Sequence, residues 1–286
     1  MNPYTVRQTP CNTTLVKFNE VGGGWEQWVL WSADRHWDHP LSDQGLQRRH
    51  LEQARERKAL VIDIGDLFCA MQGRYDPRAS RADVRLEHQT DSYLDSLVST
   101  AAAFFAPYAT NVLQLSPGNH ESKILKHQET NLTQRLIDAL NAAGGNVVMG
   151  GFSGWVKFQF VQGDRRGLPA VNAFFHHGYG GGGPVTKGVI QTNRMAVYLP
   201  DAHAVISGHT HEEWVLTLPR HRITDQGFSY IDEQTHVRIP TYKEEYQHGR
   251  GGWHVERGSP PKPIGAVWQR LWYQDRRVWF EFTRAK

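Results

Sequence analysis

The feature that most constrains this chain is a pattern that recurs five times: a short apolar run, a turn, then side chains able to bind metal or move protons. Trp28-Val29-Leu30-Trp31-Ser32-Ala33 runs into Asp34-Arg35-His36, and Ala59-Leu60-Val61-Ile62-Asp63-Ile64 runs into Gly65-Asp66. Asn111-Val112-Leu113-Gln114-Leu115 precedes Pro117-Gly118-Asn119-His120-Glu121. Val171 to Phe175 precedes His176-His177-Gly178, and Ala202-His203-Ala204-Val205-Ile206 precedes Gly208-His209-Thr210-His211-Glu212. Apolar runs this short, bounded by turn residues, read as buried strands. In open α/β sheets, ligands bind beyond the carboxyl ends of the strands, which is where all five polar clusters fall.

Between these runs, apolar spacing predicts helices over 43–58, 88–107, 129–143 and 189–199. Residues 1–25 are weakly patterned and hold the turn Gly22-Gly23-Gly24, while 67–87 reads as a long irregular stretch rich in arginine. Residues 147–176 and 213–284 read mainly as strands, the latter interrupted by a polar loop over 244–263. No internal repeat or low-complexity linker divides the chain. It therefore reads as α/β and as one domain over 1–286, with a motif-bearing core over about 26–215 and a β-rich completion over 216–286.

Composition excludes several classes. With 39% hydrophobic and 21% charged residues the chain can bury a core, and a net charge of +3 does not point to nucleic acid. Two cysteines give no disulfide framework, the N-terminus has no apolar signal core, and no run is long enough to span a bilayer. A cytoplasmic protein with no membrane partner is expected; oligomeric state is not encoded in these features.

Each polar cluster alone has an ordinary reading, Gly65-Asp66 as a turn and His209/His211 as a solvated loop. Together they hold carboxylates, an amide oxygen and imidazoles, a set suited to divalent ions such as Mn²⁺, Fe²⁺ or Zn²⁺. No cysteine lies among them, so a structural zinc site is not expected. Asp34 and His36, at i and i+2, would share one side of an extended segment. The eight residues Asp34, His36, Asp66, Asn119, His120, His177, His209 and His211 exceed what one tetrahedral ion needs and suit two ions sharing Asp66. The glycine cluster at 180–183 lacks the Lys-Ser/Thr of a nucleotide-binding P-loop.

The ordered set Asp34-x-His36, Gly65-Asp66, Gly118-Asn119-His120-Glu121, His177-Gly178 and Gly208-His209-x-His211 resembles the calcineurin-like metallophosphoesterase family. The longer pattern, with the glycine cluster and Thr241-Tyr242-Lys243, is similar to uncharacterised bacteriophage-encoded members, which would place the chain in a host cytoplasm. The resemblance implies a four-layer α/β/β/α sandwich. It implies two divalent metal ions, Mn²⁺ favoured over Zn²⁺, Fe²⁺ or Ni²⁺, one held by Asp34, His36, Asp66 and His211 and the other by Asp66, Asn119, His177 and His209. A hydroxide between the ions would be the nucleophile, with His120 assisting the leaving oxygen. His177 rather than His176 is implied as ligand because it immediately precedes the glycine.

The expected activity is hydrolysis of phosphate esters. A phosphodiester is favoured, with nucleotides or nucleic acid as natural substrates; a phosphomonoesterase and a non-catalytic metal-binding scaffold are the alternatives. Arg74, Arg78, Lys187, Arg194 and Lys243 are candidates for contacting substrate phosphate. One departure stands out: where relatives often carry a second aspartate that orients the catalytic histidine, this chain has Cys69. Either Glu87, Asp91 or Asp63 takes that part, or His120 works without an orienting carboxylate.

Overall fold

In the computed structural model, which describes residues 4–71, 76, 79–163, 167–181, 183, 185–250, 253–256 and 258–286, the weakly patterned start of the chain forms two strands. β1 (Tyr4–Thr9) and β2 (Thr13–Phe18) make an antiparallel hairpin, with β1 at a sheet edge and without a fully buried residue. An edge strand with only partly buried side chains carries no apolar alternation strong enough to announce it. Then follow β3 (Glu26–Ser32), α1 (Gln44–Glu56), β4 (Leu60–Asp63), α2 (Tyr93–Phe105), β5 (Val112–Leu115), α3 (Asn119–Gln128) and α4 (Leu132–Ala142). The second half comprises β6 (Val148–Met149), β7 (Ser153–Phe160), β8 (Leu168–His176), α5 (Val189–Tyr198), β9 (Ala204–Ser207), β10 (Trp214–Ile223) and β11 (Ser229–Arg238). The short α6 (Trp253–Glu256), β12 (Ala266–Gln274) and β13 (Arg277–Ala285) complete the chain.

The helices differ from the sequence expectation in two main respects, one shifted boundary and one helix that was not expected. α2 begins at Tyr93 rather than near His88, because Leu86–His88 is a separate 3₁₀ turn. α3 begins at Asn119, inside what read as a polar turn. Glu121, in its first turn, takes the Gly118 N–H at 2.8 Å, so the carboxylate caps the helix it belongs to.

The described strands form two sheets, in the orders β1-β2-β7-β8-β9-β11-β10 and β13-β12-β3-β4-β5-β6. β3, β4, β5 and β6 are parallel, as are β8, β9 and β11. Alternation along the strands sets the layers. Val29, Trp31, Leu60, Ile62 and Leu113 pack with Val156, Phe158, Ala173 and Ile206 of the other sheet. Leu30, Val61 and Val112 point the opposite way, into a core shared with Leu51 of α1, Leu97 and Ala101 of α2, and Leu136 and Leu140 of α4. Strands covered on both faces have to be apolar throughout, which is why they read as continuous runs. On the far face of the other sheet, Met195 and Leu199, at the C-terminal end of α5, pack with Val205, Trp155 and Phe174. The result is the four-layer α/β/β/α sandwich. No helix among the described residues is long and apolar enough to cross a membrane.

A buried ion pair ties these layers to the strand ends. Arg35 Nε lies 2.7 Å from Asp63 Oδ2, its other nitrogens donate to Ser32 Oγ and Gln47 Oε1, and its guanidinium sits 4.8 Å from the Tyr242 ring centroid. Burial pushes the Asp63 carboxyl up, against the pull of Arg35. Removing one member strands the other charge, so Asp63→Ala should lower unfolding free energy by about 3–5 kcal/mol in urea titrations. A loss below about 1 kcal/mol would mean the guanidinium finds another partner.

Candidate metal centre

All five ligand-bearing strands, β3, β4 and β5 of one sheet and β8 and β9 of the other, end at one shared edge. Hydrogen bonds continue past the strands and stitch their loops together. Asp34 N donates to Gly65 O at 2.9 Å, His36 N to Asp66 O at 3.0 Å, and Gly208 N to His177 O at 2.9 Å. The residues that follow are not extended. Asp34, His36, Asp66, His209 and His211 all have φ between +46° and +71°. The side chains of Asp34 and His36 therefore converge through left-handed turns, not through the i, i+2 alternation of a strand. Non-glycine residues pay roughly 1–2 kcal/mol each for this conformation, and such strain gathers at functional sites.

Two donor groups result. In the first, His211 Nε2 lies 3.4 Å from both His36 Nε2 and Asp34 Oδ1, and His36 Nε2 lies 3.9 Å from Asp34 Oδ1. In the second, His177 Nε2 lies 3.1 Å from both Asp66 Oδ2 and Asn119 Oδ1, and the ligand atoms of Asp66, His177 and His209 all lie within 4.8 Å of one another. The groups adjoin, since Asp34 Oδ2 accepts the His209 N–H at 2.8 Å and the His36 and His120 rings are 5.2 Å apart. His209 and His211, two residues apart, thus serve different groups.

The donors fit divalent ions. Asp34 Oδ1 is buried and makes no hydrogen bond, yet it faces two imidazole nitrogens. A cation among them supplies the partner that a buried carboxylate otherwise lacks. Separations of 3.1–3.9 Å between donors suit ligand bonds of about 2.0–2.2 Å to a shared ion.

Electrostatics polarises the second group. Burial disfavours both charged forms, but His177 and His120 beside Asp66 hold its carboxyl well below the usual range. Burial likewise opposes the His177 imidazolium, and Asp66 overrides it, raising His177 to about 9. His36 goes the other way, held well below its ordinary value by burial and by Lys243. Glu121 is raised to about 8 by burial and by Asp66. It accepts N–H groups from Asp66 at 3.1 Å and Phe68 at 2.8 Å as well as from Gly118, so it clamps two motif loops together. The Gly-Asn-His-Glu run contains the capping signal that could have assigned Glu121 this role.

His120 sits beside Asp66, with Nε2 at 3.6 Å from Oδ2. Its Nδ1–H donates to the backbone carbonyl of Cys69, so the cysteine position orients the ring through its peptide and not its thiol. None of the three carboxylates considered for that part performs it: Asp63 is bound to Arg35, and Glu87 and Asp91 are exposed. His177 turns into the donor group, while His176 Nδ1 accepts the Gly178 N–H at 2.9 Å.

The centre opens into a cleft of about 750 Å³, lined by His36, Asp66, Asn119, His120, His209 and His211 and, further out, by Lys243 and Lys262. Of the cations expected at substrate phosphate, Lys243 lines this cleft. Lys187 and Arg194, both exposed, are not among the residues that line it. Arg74 and Arg78 lie outside the described residues. Lys262, which sequence spacing did not single out, pairs with the buried Glu212 next to His211.

No protein-family profile matches the sequence and no curated protein matches it significantly. Among solved structures the chain is similar to vacuolar protein sorting 29 from Cryptosporidium parvum, at 12% identity over 91% of this chain and 98% of that one, TM-score 0.35. It is similar to a conserved Streptococcus pneumoniae protein described as a predicted phosphoesterase, at 10% identity over 91% and 99%, TM-score 0.32. It is also similar to Entamoeba histolytica Vps29 complexed with zinc, at 10% identity over 90% and 99%, TM-score 0.35. At these values none of them assigns a chemistry to this chain.

Two outcomes follow from the geometry. A Cβ at Gly118 would lie 2.1 Å from Asp66 Oδ1 and 2.5 Å from Asp66 N. Gly118→Ala should therefore displace Asp66 and weaken metal binding about 10–100-fold, as measured by competition with a chelating dye; unchanged affinity would contradict the packing. In the metal-free chain His177 keeps its proton up to about 9, so an ion entering beside Asp66 has to displace it. Affinity there should rise about tenfold per pH unit on approaching that value and fall as pH drops. Calorimetry at pH 7.5 in buffers of unlike ionisation enthalpy should register one proton released; none released would contradict it.

Proposed function

We propose that this chain is a divalent-metal-dependent hydrolase of phosphate esters that prefers diesters to monoesters. The observation that carries the reading is the adjacency of two His/Asp donor groups to a further imidazole, His120, whose Nε2 lies 3.6 Å from Asp66 Oδ2 in the same open cleft. Asp34, His36, Asp66 and His211 would hold one ion and Asp66, Asn119, His177 and His209 the other. When bound, such a pair, with Mn²⁺ the proposed occupant, would supply a water of lowered pKa and positive charge for phosphate oxygens.

The chain's own groups supply the rest. With Nδ1 committed to the Cys69 carbonyl, Nε2 is the atom of His120 that can pass a proton to the leaving oxygen. Lys243 and Lys262 attract the substrate, but each is already matched by a carboxylate, Glu245 and Glu212. Cations neutralised in this way suit the single charge of a diester better than the near-double charge of a monoester. The cleft is within the range of small-molecule sites and could accept a nucleotide or a nucleic-acid end. A scaffold reading leaves the placement of His120 without a use.

Metal-stripped protein resupplied singly with Mn²⁺, Zn²⁺, Fe²⁺ or Ni²⁺ should recover turnover on bis-p-nitrophenyl phosphate, faster than on p-nitrophenyl phosphate. His120→Ala should keep its metal and lose about 10²–10⁴-fold in kcat, whereas Asp66→Asn should lose metal and turnover together. A monoester preference would reverse the substrate assignment. Metal uptake with no turnover on either ester would favour the scaffold.

A further inference from the structure

His120 depends on a peptide carbonyl, and a carbonyl is only as well placed as the turn that carries it. That turn is held from behind by Asp38, a buried carboxylate that the motif pattern does not include. Asp38 Oδ1 accepts the Cys69 N–H at 2.6 Å, and Oδ2 accepts the Ala70 N–H at 3.0 Å and the Tyr93 hydroxyl at 2.5 Å. Ala70 adopts φ +47°, a left-handed conformation that alanine does not take without compensation. Charge-assisted hydrogen bonds to both of these amides supply that compensation. Tyr93, in the first turn of α2, anchors the carboxylate to the helical layer. An unbroken series of contacts therefore runs from α2 through Asp38 and the Cys69–Ala70 peptide to His120 Nδ1.

We propose that Asp38 is the positioning residue for His120, acting one peptide unit away by aiming the Cys69 carbonyl at Nδ1. The inference deepens the phosphoesterase reading and rests on it for its kinetic consequence. A carbonyl oxygen can only accept, so it keeps the proton on Nδ1 and leaves Nε2 facing the cleft. The charge that a directly paired carboxylate would bring to the ring is spent on the backbone amides, and orientation is what remains.

The test is a double-mutant cycle on Mn²⁺-loaded protein with bis-p-nitrophenyl phosphate. Asp38→Ala should lower kcat about 10–100-fold with little change in KM or metal content. Asp38→Asn, whose amide oxygen can still accept one N–H, should restore part of the loss. In a His120→Ala background Asp38→Ala should cost nothing further; a multiplicative loss there would overturn the proposal. A second measurement needs no turnover: ¹⁵N-histidine NMR of the Zn²⁺-loaded protein. It should show His120 as the Nδ1–H tautomer in the wild type and a tautomer mixture in Asp38→Ala. An unaltered tautomer would overturn the proposal. An inactive wild type with the expected tautomer change would reject the phosphoesterase reading alone and leave the positioning role standing.

Discussion

Asp66 is the residue through which most of the site is connected. Its carboxylate faces His177 and His120 and accepts the His120 N–H at 3.0 Å. Its own N–H is held by Glu121, and its carbonyl accepts the His36 N–H. One aspartate thus joins the loops after β3, β4 and β5 to the histidine after β8. Displacing it would loosen both donor groups together, which is why Gly118, with no room for a Cβ beside it, matters as much as any ligand.

Holding two buried carboxylates against four imidazoles in strained turns has to be offset by the surrounding fold. Rigid strands covered on both faces supply part of this. Committed polar groups supply the remainder: Arg35 with Asp63 at the ends of β3 and β4, Glu121 across two loops, and Thr241 Oγ1 donating to Asp34 O at 2.8 Å. Two of the supporting groups lie one residue away from the ligands in sequence, Arg35 between Asp34 and His36 and Glu212 after His211. Such interleaving lets one short loop both present a ligand and lock itself in place.

Much of this was legible in the chain. The continuous apolar runs gave the central strands because burial on two faces leaves a compositional trace. The Gly and His/Asp pattern marked the residues that the fold brings together, Asp34, His36, Asp66, Asn119, His120, His177, His209 and His211. What remained hidden has physical reasons. β1 is a half-exposed edge strand, and the left-handed φ of five ligand-position residues is a tertiary outcome that residue spacing does not report. The Cys69 position looked like a deficiency only because side chains are visible in a sequence and backbone carbonyls are not. Asp38 acts on amides, a role open to any buried acceptor. The surface positions of Lys187 and Arg194 depend on how the turn before α5 and the helix itself are set, which charge alone does not encode.

The central claim is that two ions occupy adjoining groups with Asp66 between them, and anomalous diffraction from crystals grown with Mn²⁺ tests it most directly. The claim requires two peaks per chain, one among Asp34, His36 and His211 and one among Asn119, His177 and His209. Both should lie within bonding distance of Asp66 and roughly 3.5–4 Å apart. A single peak, or none at these residues while Mn²⁺ is bound elsewhere, would contradict it.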